Sequence, residues 1–294
     1  MPNLPTHGPP LRYGVFVAPE KPFSAQPPHI GDPPAWDPTT ATLIFGERDA
    51  VLVDALCTDR EATALADWVT LHDRRLTTIY ITHGHFDHWL GLSVLLERFP
   101  HARAVATAGT VRLMCADAQQ TSRYRALFPG QIADTIALAE PLAEERFELE
   151  GRPLLVIETG HTDAVDTTAL YVPDLGLIVS GDVAYNHCHM FVGDTTAASR
   201  AEWIAALDRL AALGPAAVVT GHKDPTCGNP PSVLAECRSY LEAYGQLGEA
   251  GLQDRELFEA MVSRYPDWVS RQQFLLLGFG GQDVRSEDER ARDG

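Results

Sequence analysis

The sequence is short of basic residues, short of cysteine and without a long apolar run. Lys and Arg number 23 against 40 Asp and Glu, a formal net charge of −17. Binding nucleic acid by counterion release needs clustered Lys and Arg, so that deficit argues against a nucleic-acid partner. It also argues against adsorption to anionic lipid. The five cysteines, Cys57, Cys115, Cys188, Cys227 and Cys237, are odd in number and form no C-x-x-C pair. Such scatter suits free thiols in a reducing compartment rather than a disulfide framework. No stretch approaches the roughly 20 apolar residues of a membrane span. The start, Met1-Pro2-Asn3-Leu4-Pro5, has neither the basic nor the apolar region of a secretory signal. These absences lead us to expect a soluble, cytoplasmic protein acting on a small molecule, without nucleic-acid or membrane partners.

What is present is a 294-residue chain, 45% hydrophobic, enough for one large α/β domain. About half of the prolines fall in the first forty residues. Because Pro lacks an amide donor and restricts its neighbour, residues 1–40 read as an irregular arm. Residues 41–280 read as the catalytic domain with C-terminal helices, and 281–294 as a polar tail. The arm and the C-terminal helices are the segments that would support a homodimer.

Apolar runs at 42–45 and 50–53, split by Gly46-Glu47-Arg48-Asp49, predict a hairpin. Ala62, Leu65, Ala66 and Val69 share one face of a helix over 60–73. Strands are expected at 77–82, within 101–107, at 147–149, 154–158, 168–172, 177–180 and 216–220. Helices are expected at 91–99, through much of 108–145, at 199–213 and over 231–277. Ser199 and Glu202, three apart, suggest a capping box at the start of the 199–213 helix.

The chemistry centres on Thr82-His83-Gly84-His85-Phe86-Asp87-His88, where four potential metal ligands lie within six residues directly after a strand. Imidazole and carboxylate together suit a transition-metal site, and α/β sheets place their sites at strand ends. Gly160-His161, Gly181-Asp182 and Gly221-His222 each add a ligand type, preceded by Gly, just past a predicted strand. Gly permits the sharp turns and close backbone approaches such points need.

The order His-x-His-x-Asp-His, then His, Asp and His resembles the metallo-β-lactamase-fold hydrolases over residues 41–222. The resemblance implies a four-layer αβ/βα sandwich of the α/β class, with metals at one edge of two sheets. It implies that His83, His85 and His161 hold a first metal, that Asp87, His88 and His222 hold a second, and that Asp182 bridges them. The implied cofactors are two divalent ions, zinc by default, with Mn, Fe or Co also compatible with His/Asp ligands. A water shared by the two ions would attack a carbonyl centre, with Asp87 or Asp182 carrying the proton to the leaving group. The family usually has a small residue and Gly after the strand aspartate; here Ala55-Leu56 follows Asp54, which is still placed to orient a ligand histidine.

Tyr185, three residues after Asp182, is similar to the tyrosine of the metal-dependent N-acyl-homoserine lactonases, which contacts the lactone carbonyl. The resemblance therefore implies a lactonase or esterase, with Tyr185, His187, His189, Met190 and Phe191 as pocket candidates. A glyoxalase-II-like thioesterase is the alternative, with Lys223 as its candidate carboxylate-binding residue. A β-lactamase fits less well, since those enzymes are usually secreted and generally have Cys or another residue where this chain has Asp182. A binding or structural protein without turnover is the alternative of another class, and such relatives usually lose ligands.

Overall fold

A computed structural model describes residues 10–24, 35–193 and 195–271; the expected polar tail lies outside them. In chain order the strands are β1 Arg12–Ala18, β2 Lys21–Pro22, β3 Ala35–Trp36, β4 Thr39–Phe45, β5 Asp49–Val53, β6 Arg75–Tyr80, β7 Arg103–Ala106, β8 Glu140–Pro141, β9 Arg146–Leu149, β10 Arg152–Gly160, β11 Thr167–Val172, β12 Leu177–Val179, β13 Tyr185–Asn186, β14 Ala217–Val219 and β15 His222–Lys223. The α-helices are α1 Asp59–Leu71, α2 Leu92–Arg98, α3 Ala108–Asp117, α4 Thr121–Leu127, α5 Ala197–Ala212, α6 Val233–Glu249 and α7 Asp254–Arg264.

Two sheets carry the fold. The larger runs β13-β15-β4-β5-β6-β7-β8, with β1 also paired to β4; the smaller runs β14-β12-β11-β10-β9. Side-chain alternation along each strand sorts the apolar residues into three clusters. Ile44, Val51, Val53 and Tyr80 meet Leu154, Val156, Leu170 and Val179 between the sheets. Their neighbours Leu43, Leu52 and Ile79 turn the other way and pack with Leu65, Val69, Leu92 and Leu95 of α1 and α2. Ala169, Ile178 and Val218 do the same against Trp203, Leu207, Tyr240 and Leu241 of α5 and α6. The result is the expected four-layer helix–sheet–sheet–helix sandwich, with every strand face of these central strands buried.

Local expectations hold for the hairpin and for α1, which begins at a Thr58/Glu61 capping box. Three others are corrected. The arm is not irregular throughout, because Arg12–Ala18 pairs antiparallel along the whole of β4; ladder pairing overrides a Pro-rich composition once a proline-free run occurs. The 108–145 stretch is helical only through Leu127 and then turns, with a short strand at Glu140–Pro141. Finally, α5 is capped by Thr196, with Ser199 as its capping-box partner rather than as the cap itself.

Candidate metal centre and cavity

The histidine-rich loop leaves β6 and is pinned from below by Asp54. One Asp54 oxygen accepts from the Thr82 amide at 2.9 Å, and the other lies 3.0 Å from His88 Nδ1. That contact fixes the ring so that Nε2 faces the site, the orienting role expected of Asp54. Trp89 Nε1 donates to the Gly84 carbonyl at 2.9 Å and holds the far side of the loop. The loop tightens into a single 3₁₀ turn over Phe86–His88, which brings Asp87 and His88 inward together.

The other residues arrive from the ends of both sheets. Asp182 sits on a 3₁₀ turn after β12, and His222 opens β15. Gly221 has no room for a side chain, since a Cβ there would collide with the Asp182 carboxylate. Asp182 Oδ1 lies 3.2 Å from His88 Nε2; its Oδ2 lies 3.2 Å from His222 Nε2 and 3.7 Å from His83 Nε2. Asp87 Oδ2 lies 3.4 Å from His222 Nε2. Among the described residues, donor atoms within 4.8 Å of one another form two groups: His83, His85, Asp163 and Asp182, and Asp87, His88 and His222.

Six of the seven expected ligands are thus brought together. His161 is in neither group. It is partly exposed and lines a groove on the far side of His85, with Leu113, Ala116, Gln120, Ala164 and Val165. Asp163 stands in the cluster instead, a residue for which no motif match existed.

The cluster fits cations. Nε2 of His83 and of His88, Oδ2 of Asp163 and Oδ1 of Asp182 are buried without a hydrogen bond of acceptable geometry. Buried polar atoms left so are costly unless something fills the space between them. The charges agree. Burial opposes ionisation of His222, but Asp182 and Asp87 outweigh it and raise the ring to about 10. Burial likewise opposes a charge on His88, yet Asp182, Asp87 and Asp54 hold its proton well above the ordinary range. Burial works to raise Asp182 too, but His222, His88 and His83 hold it well below the usual carboxylate range. A field that retains protons on buried imidazoles also attracts divalent cations.

Above the cluster lies a cavity of about 280 Å³ lined by Phe23, Trp36, Phe86, Tyr124, Leu127 and Phe191, by His85, Asp87, Asp182, Tyr185 and His222, and by the charged Asp117 and Arg123. Phe86 stacks on Tyr124 at 4.2 Å between centroids, and Trp36 leans on Phe86 at 4.9 Å. Of the pocket candidates, Tyr185 and Phe191 line this cavity. The other three do not. His187 lies beside Trp268 and Glu236, His189 is buried against Tyr240, and Met190 is fully buried in the cluster beneath α6. The segment passes under α6 after β13, and only its far end returns to the cavity.

Trp36 was not legible as a site residue, since it sits in the Pro-rich arm without a motif. Its Nε1 donates to Asp87 Oδ2 at 2.9 Å. Trp36→Phe keeps the aromatic wall and deletes that bond. It is expected to weaken metal retention by about ten- to a hundredfold, the usual effect of losing a group that orients a ligand. Chelator competition against the parent protein measures it.

Comparison with known proteins identifies the family and the fold. Residues 34–222 match the family model of the metallo-beta-lactamase superfamily, and the chain belongs to that superfamily of metal-dependent hydrolases. Solved structures share the fold. A metallo-beta-lactamase from Pontibacter korlensis is 19% identical, with a TM-score of 0.58 over 79% of this chain and 99% of that one. VMB-1 is 15% identical, with a TM-score of 0.59 over 80% of this chain and 94% of its own. The DIM-1 metallo-beta-lactamase is 17% identical, with a TM-score of 0.57 over 80% and 98%. At such identities the likeness shows the fold alone. No functionally curated protein matches the chain. No helix among the described residues is long and apolar enough to cross a membrane.

Proposed function

We propose that the protein hydrolyses a small ester or lactone whose apolar part occupies the aromatic cavity. The observation that carries this reading is the position of Tyr185. Its hydroxyl donates to Asp182 Oδ2 at 3.1 Å, its ring stacks on His222 at 5.5 Å and 20°, and it faces the cavity. A phenol at the cavity wall beside the clustered ligands would be able to donate to a substrate carbonyl oxygen. Burial, with Asp182 next in effect, raises its pKa well above the ordinary value, so the hydroxyl stays protonated and able to donate.

Two divalent ions held by the clustered histidines and aspartates would acidify a shared water and polarise a carbonyl oxygen. The chain's own residues do the rest. Phe23, Trp36, Phe86 and Tyr124 hold the apolar part of the substrate and exclude water. Tyr185 donates to the oxygen on which charge develops. Asp87, held by Trp36, faces the cavity and is placed to pass a proton to the leaving alkoxide.

Lys223, the residue named for the thioesterase alternative, is not among those lining the cavity, where the basic residue is Arg123. Lys223 is buried and donates to the carbonyls of Cys227 and Gly228 at 2.6 and 3.0 Å and to Asn229 Oδ1 at 2.8 Å, so its three protons are spent away from the cavity.

The test is a panel of acyl-homoserine lactones, simple esters, a glutathione thioester and a β-lactam, assayed with zinc-reconstituted protein and a chelated blank. Chelator-sensitive turnover of lactone or ester supports the reading; turnover of the thioester or β-lactam alone overturns it. Tyr185→Phe, assayed at saturating zinc because the same hydroxyl donates to Asp182, is expected to lower kcat about a hundredfold, the cost of one oxyanion donor. An unaltered kcat would reduce Tyr185 to packing.

A further inference from the structure

The turn after β10 raises a question of ligand identity. Sequence order points to His161 as the third donor of the first metal, but the backbone re-aims that position. The β10–β11 ladder shifts register between Glu158 and Gly160, and Gly160 then adopts φ +80°, a left-handed conformation suited to Gly. The next side chain, His161, faces the groove that Leu113, Val165 and His85 also line, and it joins neither group of converging ligand atoms. Two residues later the chain comes back in, and Thr162 and Asp163 are both fully buried.

Asp163 is oriented as a ligand is. Thr162 Oγ1 donates to Asp163 Oδ1 at 2.9 Å, which fixes the carboxylate plane. The other oxygen, Oδ2, points into the cluster, 2.8 Å from His85 Nδ1 and 3.7 Å from His83 Nε2, and makes no hydrogen bond of acceptable geometry. A fully buried carboxylate oxygen that faces two imidazole nitrogens in this way is positioned to share a cation with them.

We infer that Asp163, and not His161, is the side chain that completes the first metal pocket with His83, His85 and Asp182. This rests on the two-metal reading above. It replaces an imidazole by a carboxylate and makes the centre four imidazoles and three carboxylates. Carboxylate favours Mn(II) relative to the same pocket with imidazole. The chain therefore takes up Mn(II) in competition with Zn(II) more readily than a site with a third histidine would.

The test uses the full chain and counts metal rather than turnover. Parent, Asp163→Asn, His161→Ala and Asp163→His proteins are loaded with Zn(II), dialysed and assayed for metal per chain. They are then reloaded from an equimolar Mn(II)/Zn(II) mixture. His161→Ala is expected to keep the parent's metal content, and Asp163→Asn to lose affinity for one ion by at least about tenfold. Asp163→His restores an imidazole, so it is expected to keep both ions and to shift the Mn/Zn ratio several-fold toward Zn; it also serves if Asp163→Asn does not fold. Loss of an ion in His161→Ala with full retention in Asp163→Asn overturns the ligand assignment, and an unchanged Mn/Zn ratio in Asp163→His overturns the metal preference. A parent that binds no metal instead overturns the hydrolase reading itself, a result distinct from either.

Discussion

Asp182→Ala is expected to empty both halves of the metal centre at once and to abolish chelator-sensitive hydrolysis. No other carboxylate in the cluster touches so much of it. Its two oxygens lie within 3.7 Å of His83, His88 and His222 and accept from Tyr185. Losing a group that only orients a ligand costs about ten- to a hundredfold in affinity, so losing the shared ligand costs at least that at each ion. Tyr185 loses its hydrogen-bond acceptor in the same step. Metal analysis after dialysis and a chelator-blanked rate would show the effect together, with circular dichroism confirming the fold. Retention of two ions at the parent's rate would remove Asp182 from the bridging role.

The six cluster residues legible in the sequence were those whose presentation depends on local geometry. His83, His85, Asp87 and His88 share one turn after a buried strand, and Asp182 and His222 each follow a Gly that only a close backbone approach requires. The seventh position lies past a β-bulge and the left-handed Gly160, in a turn between β10 and β11 where strand alternation no longer dictates which side chain faces in. No residue type near Gly160 announces that shift. The same limit explains His187, His189 and Met190. Polar and apolar residues alternate there as a pocket loop would, but α6 and the Trp268 region, from a distant part of the chain, bury His189 and Met190 and leave His187 half-exposed beside Glu236. Trp36 and Phe23 belong to the arm, where proline content masks the contacts that tertiary packing supplies.

Leu56 shows how a departure from pattern can be physically consistent. The position where relatives usually have Gly adopts φ +61° here, and Asp54 adopts φ +64°. A left-handed conformation costs a leucine about 1–2 kcal/mol. Its side chain is fully buried beside Ala55 and Trp89, worth about 1.5–3 kcal/mol. Burial therefore wins or breaks even, and the turn that aims Asp54 at His88 survives without glycine.

Acid is expected to destabilise the protein through His189 as well as through the metal centre. His189 is 2% exposed, and its Nδ1 lies 3.0 Å from the Tyr240 hydroxyl. Burial, helped by the positive charge of Arg271, pushes its pKa down to about 3. The unfolded chain holds the same imidazole near the ordinary 6.5. Between those values the unfolded state binds the proton and the folded state does not. The stability that neutral His189 contributes is therefore complete above about pH 6.5 and falls as pH drops toward 3. The slope is about 1.4 kcal/mol per pH unit, so about 2–3 kcal/mol is lost by pH 4.5. His189→Gln keeps a hydrogen-bonding group for Tyr240 without the titration. It is expected to start less stable at pH 7 and to lose less between pH 6.5 and 4.5 than the parent. Denaturant midpoints for both proteins under one metal condition isolate this difference, because the ligand histidines contribute equally to each. Equal losses in the two proteins would mean that His189 is charged in the folded state or reached by water.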